Sequence, residues 1–386
     1  MTTTSHSSPG LRHLVLLGAG HAHVHVLQGL AKDQPTDLRI TVIAPYPRQL
    51  YSGMVPGFVA GHYALDDCVI PLSDLLAGCG ARFIEDSAIA IDADAKTVTL
   101  AGGDVVAWDW LSLNTGPVMD REKLDAQMPG AREHALFVRP IELFGQLWSQ
   151  VVALARSRPI HLAVVGAGAA GLELAMAASY LLRGSAFPPG SRVSLVTGGP
   201  PPAQNYPDGV QRRVVHALRR LQITVLPDTC VGMAPGEILL GRGARLRCDA
   251  PLLAVGAQAP SWLAGSGLAL DAAGFVGVNN FQQSVSHPTV FAVGDVASRL
   301  DAPHPRSGVY AVRSGPPLLA NLKAALLGQQ MQPYQPAERT LNLISCGERY
   351  AIAAWGPLHL EGRWVWRLKD RIDRSFVARY APHSAK

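Results

Sequence analysis

The chain is short of charge: Asp, Glu, Lys and Arg make up 16% of its 386 residues, against 48% hydrophobic residues. That ratio excludes an extended disordered chain, because so much apolar surface collapses into cores, and the length suits two or three domains. No run of Lys or Arg gathers the formal net charge of +5. Nucleic acid selects a basic patch or stripe, so it is not an expected partner. Cysteine is scarce and poorly spaced for pairing. Cys68, Cys79, Cys230, Cys248 and Cys346 form no C-x-x-C or C-x4-C pair, and their number is odd. A disulfide scaffold is therefore not expected, and a reducing, cytoplasmic setting is. Met1–Gly10 reads as a polar, Ser/Thr-rich tail without the basic flank and apolar stretch of a signal peptide. The long apolar stretch Leu162–Leu182 carries Glu173 in its middle. It reads as a buried strand, a glycine turn and a buried helix, not a membrane span.

What is present is one supersecondary unit used twice. Leu14–Leu17 is an apolar run ending in Gly18-Ala19-Gly20, and Leu162–Val165 is another ending in Gly166-Ala167-Gly168. Each is followed by a helical pattern and a second apolar run, Arg39–Ala44 and Arg192–Thr197. Strand, glycine turn, helix and strand open a parallel βαβ unit. Between the copies, Arg82–Ile91, Lys96–Leu100 and Trp108–Leu113 read as a small antiparallel meander. The expected fold is α/β, with two Rossmann-type dinucleotide-binding domains and a small C-terminal region.

Gly166-Ala167-Gly168-Ala169-Ala170-Gly171 is a complete G-x-G-x-x-G between strand and helix. Its first glycine permits a tight turn, its second lets backbone approach a pyrophosphate, and its third lets helix pack on strand. The first copy is partial: Gly18 and Gly20 are present, but His23 stands at the third glycine, so looser helix packing is expected. His21 and His23 are expected near the phosphates at the helix N-terminus. His21 and His25, one helical turn apart, lack the further ligands a metal would need, and no metal is expected. Each second strand of such a unit usually ends in an acid that binds the adenosine ribose. Here the ends are Ala44 and Thr197, which leaves the choice between NADH and NADPH open. A third element, Thr289–Val293 followed by Gly294-Asp295, places a carboxylate at a strand's C-terminal edge. An acidic helix cap would use this aspartate equally well.

In combination these motifs resemble the pyridine nucleotide-disulfide reductase superfamily over residues 11–330. The resemblance implies FAD at Gly18, Gly20, Gly294 and Asp295, and NAD(P)H at Gly166, Gly168 and Gly171. It also assigns Thr115-Gly116 and Gly256 to the turns where the chain crosses between domains. The implied layout is a three-layer ββα FAD-binding domain from residues 11–115 and 254–330, an NAD(P)-binding domain at 116–253, and a C-terminal region at 331–386. Where the disulfide reductases carry a redox cysteine pair, this chain reads Tyr51–Gly57 without cysteine. That stretch is similar to the proline-containing loop of type II NADH dehydrogenases and sulfide:quinone reductases, which makes Pro56 a flavin-adjacent candidate. Glu173, read as lying in the first turn of the second helix, matches glutamates that lie near the nicotinamide; a solvated acid favoured by the helix dipole is the plainer reading. Narrower likenesses, at Gly20–Val24, Ala60–Tyr63, Arg306–Arg313 and Gly362–Phe376, point to NADH-dehydrogenase-like flavoproteins found fused to selenophosphate synthetase.

The implied reaction moves a hydride from NAD(P)H to FAD and electrons on to an acceptor, with a quinone the first candidate. Two alternatives stay open: a sulfide:quinone reductase, which requires a cysteine pair at the flavin, and a flavin redox sensor with little turnover. At the C-terminal end, Trp364, Leu368, Ile372, Phe376 and Tyr380 recur every four residues among arginines. Residues 362–380 thus read as a basic amphipathic helix, which either docks on the inner face of the plasma membrane or packs on the flavin domain.

Overall fold

The computed structural model describes residues 11–381, so the Met1–Gly10 tail lies outside the described residues. Strands β1 (Arg12–Leu17), β2 (Leu38–Ala44), β3 (Arg82–Glu85) and β4 (Trp110–Leu113) open one sheet. A second sheet holds β5 (Leu136–Phe137), β6 (His161–Val165), β7 (Arg192–Val196), β8 (Thr224–Leu226) and β9 (Ala250–Leu253). The chain then returns to the first sheet with β10 (Val290–Ala292). The sheet orders are β10-β4-β1-β2-β3 and β5-β9-β6-β7-β8, and every pairing is parallel. The two sheets share one plan, in which the glycine-turn strand lies at the centre and its ligand edge faces out at the C-terminal ends.

Parallel sheets need cover on both faces, and the alternation along β1 supplies it. Leu14 and Leu16 join the large core shared with the helices, while Val15 and Leu17 join a second core under the meander. β6 divides in the same way: Leu162 and Val164 face helices, Ala163 and Val165 face the other side. Each of the leucines and valines among them, fully buried, contributes roughly 1.5–3 kcal/mol. The helix layer includes α1 (His21–Lys32), α2 (Ala169–Leu182), α3 (Asp208–Arg220) and α4 (Gly315–Leu326), which packs on α1. Antiparallel meanders at residues 88–107 and 230–247 complete three layers in each half.

Two expectations need correction here. Arg82–Ile91 is not one meander segment. Its first half, β3, pairs in parallel with β2, and Asp86 then turns the chain by accepting from the N–H groups of Ser87 (2.7 Å) and Gly102 (3.0 Å). β4 likewise belongs to the parallel sheet, between β1 and β10. Glu85-Asp86-Ser87, three polar residues in a row, marks the break, but nothing local tells that the segment before it pairs with β2.

The C-terminal region is a three-stranded sheet, β11 (Asn342–Ser345), β12 (Ala351–Trp355) and β13 (Leu358–Gly362), followed by α5 (Arg363–Tyr380). The predicted apolar stripe divides between two faces of α5. Phe376 and Tyr380 are buried with Val365, Trp366 and Val377, whereas Trp364, Leu368 and Ile372 are exposed. The cause is geometric: each four-residue step advances about 40° around a helix, so five members sweep about 160°. No helix among the described residues is long and apolar enough to cross a membrane.

Candidate functional site: two glycine turns and a cleft

At the first turn the chain leaves β1 with Gly18 at φ +86°. A Cβ there would lie 2.6 Å from the Asn114 carbonyl oxygen, and one on Gly20 would lie 2.4 Å from Asn114 Oδ1. Only glycine fits either place. Asn114, just past β4, binds the turn from below. Its Oδ1 accepts from the N–H groups of Ala22 (3.1 Å) and His23 (3.2 Å), its backbone oxygen accepts from Gly20 N (3.2 Å), and its Nδ2 donates to Val293 O (3.0 Å). One side chain thus caps α1, which has no cap of its own at Gly20, and ties it to the strand that delivers Asp295.

His23 does not line the cleft. It is fully buried behind the turn, where Nδ1 donates to Gly18 O (2.5 Å) and Nε2 accepts from Ser112 Oγ (2.8 Å). The imidazole fills the place of the third glycine, so α1 is held off the strand but not loosely. Burial lowers its pKa to about 4, and it stays neutral. His21 does line the cleft. Gln49 Nε2 donates to its Nδ1 (3.2 Å), and Nε2 lies 3.3 Å from Ser52 Oγ. Burial lowers its pKa to about 4 as well, with Arg139 adding to the effect, so it offers hydrogen bonds and no charge.

The cleft above this turn has a volume of about 510 Å³. Its walls include Gly18, Gly20, His21, Thr115, Gly116, Arg139, Glu142 and Asp295, which gathers into one place most of the predicted first-site residues. Asp295 Oδ1 is buried without a hydrogen-bond partner. Burial pushes the Asp295 carboxyl up from the usual range, and Arg139 pulls it part of the way back. Burial in turn lowers the Arg139 pKa, with Asp295 and Glu142 opposing. An orphaned carboxylate oxygen, a glycine cradle and a guanidinium facing the turn fit FAD: the carboxylate suits a ribityl hydroxyl, and Arg139 suits the pyrophosphate. Arg139 and Asn114 escaped the sequence reading. Arg139 sits in no motif, and Asn114 is marked only by its place just before the Thr115-Gly116 crossing.

The second turn repeats the backbone and omits the bracing. Gly166 has φ +113°, and a Cβ there would lie 2.4 Å from Ala254 O. Gly171 lies so close to Gly166 O that a Cβ would fall 1.9 Å from it. α2 has no side-chain cap and no acid in its first turn, so its first N–H groups are available to an anion, with Gly168 opening onto free space. Gly256 lies exposed two residues past Ala254, at the second crossing. It does not touch the first cleft. The two crossings are laced together by paired backbone bonds between Val118 and Gln258, both 2.9 Å.

Glu173 is the fifth residue of α2, in its second turn and facing the C-terminal region. Its Oε1 accepts from Ser345 N (2.8 Å). Burial raises its pKa to about 7, Lys369 opposes and Asp373 adds to the rise. The plain reading of a solvated acid is thereby overturned. Lys369 Nζ donates to Asp373 Oδ2 and Gly53 O, both at 2.6 Å, so α5 holds the Tyr51–Gly57 segment. Phe376 stacks on Tyr51 at 4.5 Å between centroids and lies 5.8 Å from His21. Pro56 is buried in the short helix Val55–Val59, which packs on α2. It does not line the cleft. Among the described residues no group of three or more His, Cys, Asp or Glu gathers around a metal position.

Comparison with known proteins agrees with this architecture. The family described as pyridine nucleotide-disulphide oxidoreductase matches residues 12–315. An NADH dehydrogenase-like protein of Mycobacterium tuberculosis is 29% identical over 311 residues, 76% of this chain and 75% of that protein. A sulfide-quinone reductase of Aquifex aeolicus is 35% identical over 109 residues, 28% of this chain and only 24% of the reductase. Among solved structures, the sulfide:quinone oxidoreductase of Aquifex aeolicus superposes with a TM-score of 0.78 at 19% identity, covering 97% of this chain and 93% of its own. NDH2 of Plasmodium falciparum in complex with NADH superposes with a TM-score of 0.76 at 12% identity, covering 97% and 100%. At these identities the superpositions establish the fold.

Proposed function

The chain belongs to the pyridine nucleotide-disulphide oxidoreductase family, and from that premise we propose that it passes electrons from NAD(P)H through FAD to a quinone without a dithiol relay. The observation that carries this reading is the thiol chemistry. The Tyr51–Gly57 segment contains no cysteine, and all five cysteines are free. Burial pushes the thiols of Cys68 and Cys346 up to about 12, so neither is a thiolate at neutral pH. The names of the relatives support the donor and the acceptor: NADH dehydrogenase-like for one, quinone reductase for the other.

FAD, when bound, supplies the hydride-accepting and electron-passing chemistry. The chain's own part is placement. Gly18, Gly20, Thr115, Gly116, Arg139, Asp295 and the neutral His21 hold the cofactor, with His23 and Asn114 supporting the turn from behind. Gly166, Gly168, Gly171 and the bare end of α2 hold the donor's pyrophosphate. Glu173 and Pro56, on packed neighbouring helices, shape the region between the two turns and the C-terminal sheet. We assign the FAD-binding domain to residues 11–115 and 254–330 and the NAD(P)-binding domain to 116–253, because the strands of the two sheets divide along those bounds.

The test is anaerobic mixing of the yellow protein with NADH and with NADPH while flavin absorbance is followed. Bleaching by either, then recovery on adding a soluble quinone, is the expected result. Absence of bleaching with FAD retained would remove the dehydrogenase reading. A sulfide:quinone reductase would instead bleach on adding sulfide, and no such change is expected.

We also propose that α5 and the preceding hairpin rest on an anionic membrane surface, such as the inner face of the plasma membrane. Trp355, Leu358, Leu360, Trp364, Leu368 and Ile372 are between 37% and 61% exposed. Trp355 pairs directly with Leu358, which places them and Leu360 on one face of the hairpin. Arg367 and Arg371 are exposed on α5 beside the apolar residues. Replacing Trp364, Leu368 and Ile372 together by Ser is expected to abolish sedimentation with anionic vesicles while leaving flavin content unchanged. Retained sedimentation would overturn the membrane reading.

A further inference from the structure

Three polar side chains run in one line along the wall of the first cleft. Gln49, in the short strand Arg48–Leu50, is buried, and its Nε2 lies 3.2 Å from His21 Nδ1. The other ring nitrogen, His21 Nε2, lies 3.3 Å from Ser52 Oγ. All three residues line the cleft. Tyr51 and Phe376 pack against the imidazole, at 5.1 and 5.8 Å between centroids, and hold its orientation. An amide nitrogen donates and has no lone pair to accept with. Nδ1 is therefore the bare nitrogen of the ring, and a neutral imidazole then carries its one proton on Nε2. Burial, with Arg139 adding to it, keeps the ring neutral by lowering its pKa to about 4. The Nε2–H accordingly donates to Ser52 Oγ, and the hydrogen of the serine hydroxyl is left to turn elsewhere. Ser52 Oγ lies 3.8 Å from the place of a Cβ on Gly308, whose helix packs on the turn that carries Asp295. The hydroxyl thus stands by the wall of the cleft that Gly308 and Asp295 share.

We propose that Gln49 is a positioning residue of this cleft: through His21 it fixes the direction in which the protons of the Gln49–His21–Ser52 chain point, so that Ser52 donates a hydrogen bond to bound FAD. The proposal rests on the placement of FAD in this cleft. A serine hydroxyl can act as donor or as acceptor, and the proton on its partner decides between the two. Run this way, the chain ends in a donor, which suits the phosphate and hydroxyl oxygens of a dinucleotide, and each bond in such a chain polarises the next. Run the other way, with the proton on Nδ1, Ser52 would donate into the ring and turn only lone pairs toward those oxygens. Gln49 Oε1, buried without a partner, adds an acceptor to the same wall. A hydroxyl of FAD, which gives one hydrogen bond and takes another, is complementary to that pair.

The experiment uses the full-length holoprotein with isotope-labelled histidine. Proton–nitrogen correlation spectra at neutral pH read which nitrogen of His21 is protonated, with His21→Gln identifying its signals. FAD dissociation constants are measured by flavin fluorescence. The parent is expected to carry the proton on Nε2. In Gln49→Glu the carboxylate can only accept, so Nδ1 should become protonated, and FAD should bind roughly tenfold more weakly, the worth of one hydrogen bond. Ser52→Ala should weaken FAD by a similar factor and leave the ring proton on Nε2. His21→Gln, whose amide can donate to Ser52, should keep more FAD affinity than His21→Leu. A parent ring protonated on Nδ1 would overturn the proposal, and so would parental affinity in Ser52→Ala. The parent spectrum decides the polarity by itself, whether or not a variant folds. Gly18→Ala tests the placement of FAD separately and is expected to purify without flavin. If it keeps its FAD, that placement falls and the proposal with it; if it loses FAD while Ser52→Ala binds as the parent does, only the proposal falls.

Discussion

The two glycine turns begin alike and treat their helices in opposite ways. At the first, Asn114 Oδ1 takes the N–H groups of Ala22 and His23, and an imidazole tied to Gly18 O and Ser112 fills the third-glycine position. At the second, the matching crossing residue is Ala254, whose methyl can accept no hydrogen bond, and the third glycine rests directly on Gly166 O. One turn is finished by protein and the other keeps its helix end bare. A cofactor that stays bound benefits from walls already fixed before it arrives. A donor that enters and leaves at every turnover benefits from N–H groups that water can serve in its absence. On the proposed assignment of FAD to the first turn and the nicotinamide nucleotide to the second, the difference between a resident and an exchanging dinucleotide is written in the residues behind each turn more than in the glycines themselves.

The sharpest way to break this contrast is Asn114→Ala. It strands the Ala22 N–H and the Val293 carbonyl, at a cost of about 1–3 kcal/mol for each unsatisfied group, while His23 N keeps Gly20 O (3.0 Å). The variant is expected to purify nearly colourless, read as the ratio of flavin to protein absorbance; full retention of FAD would remove the bracing account. Next in size is Gly171→Ala, whose new methyl would overlap Gly166 O. Such overpacking costs roughly 1–3 kcal/mol, so donor affinity should fall about tenfold or more in nucleotide titrations while the protein stays yellow.

A third effect separates the turns by pH. The folded His23 pKa is near 4, below the ordinary value of 6.5. Its contribution to stability is complete above 6.5 and is lost as pH falls from there through 4, a change on the order of 3 kcal/mol. Urea midpoints at pH 7.5 and pH 5 should show the drop, and His23→Gln should reduce it, leaving the part that His21, with the same lowered pKa, contributes. The smallest effect belongs to Glu173, whose pKa near 7 predicts a step in the flavin reduction rate around neutral pH. Glu173→Gln should abolish the step and change the rate by less than roughly tenfold.

Much of this was legible in the sequence because it depends on neighbours along the chain. A strand running into Gly-x-Gly, or Gly294-Asp295 after an apolar run, is a local signal, since a tight turn and a strand-edge carboxylate are both set within a few residues. Asn114 was not legible, because its partners lie 91, 92 and 179 positions away. Nothing in Leu113–Pro117 reveals what its amide will reach. Arg139 was hidden for the same reason, as its meaning comes from facing Asp295 across the cleft. His23 was noticed as a departure but misread as a phosphate contact, since spacing does not tell whether a side chain points at the ligand or behind the turn. The stripe on α5 was read as one face because a period of four looks helical over one step and drifts off the face over four.

The return of β10 to the first sheet bears on how the protein is made. Synthesis runs from β1 onward, so the nascent chain can complete all five strands of the second sheet while the first still lacks an edge strand, Gly294 and Asp295. Domains fold as units while the chain emerges. On the proposed domain assignment, the donor-binding half should therefore be fixed first, and the waiting half should close last, around FAD already present in the cell. Supply of flavin during translation, more than its concentration afterwards, would then govern how much of the protein matures.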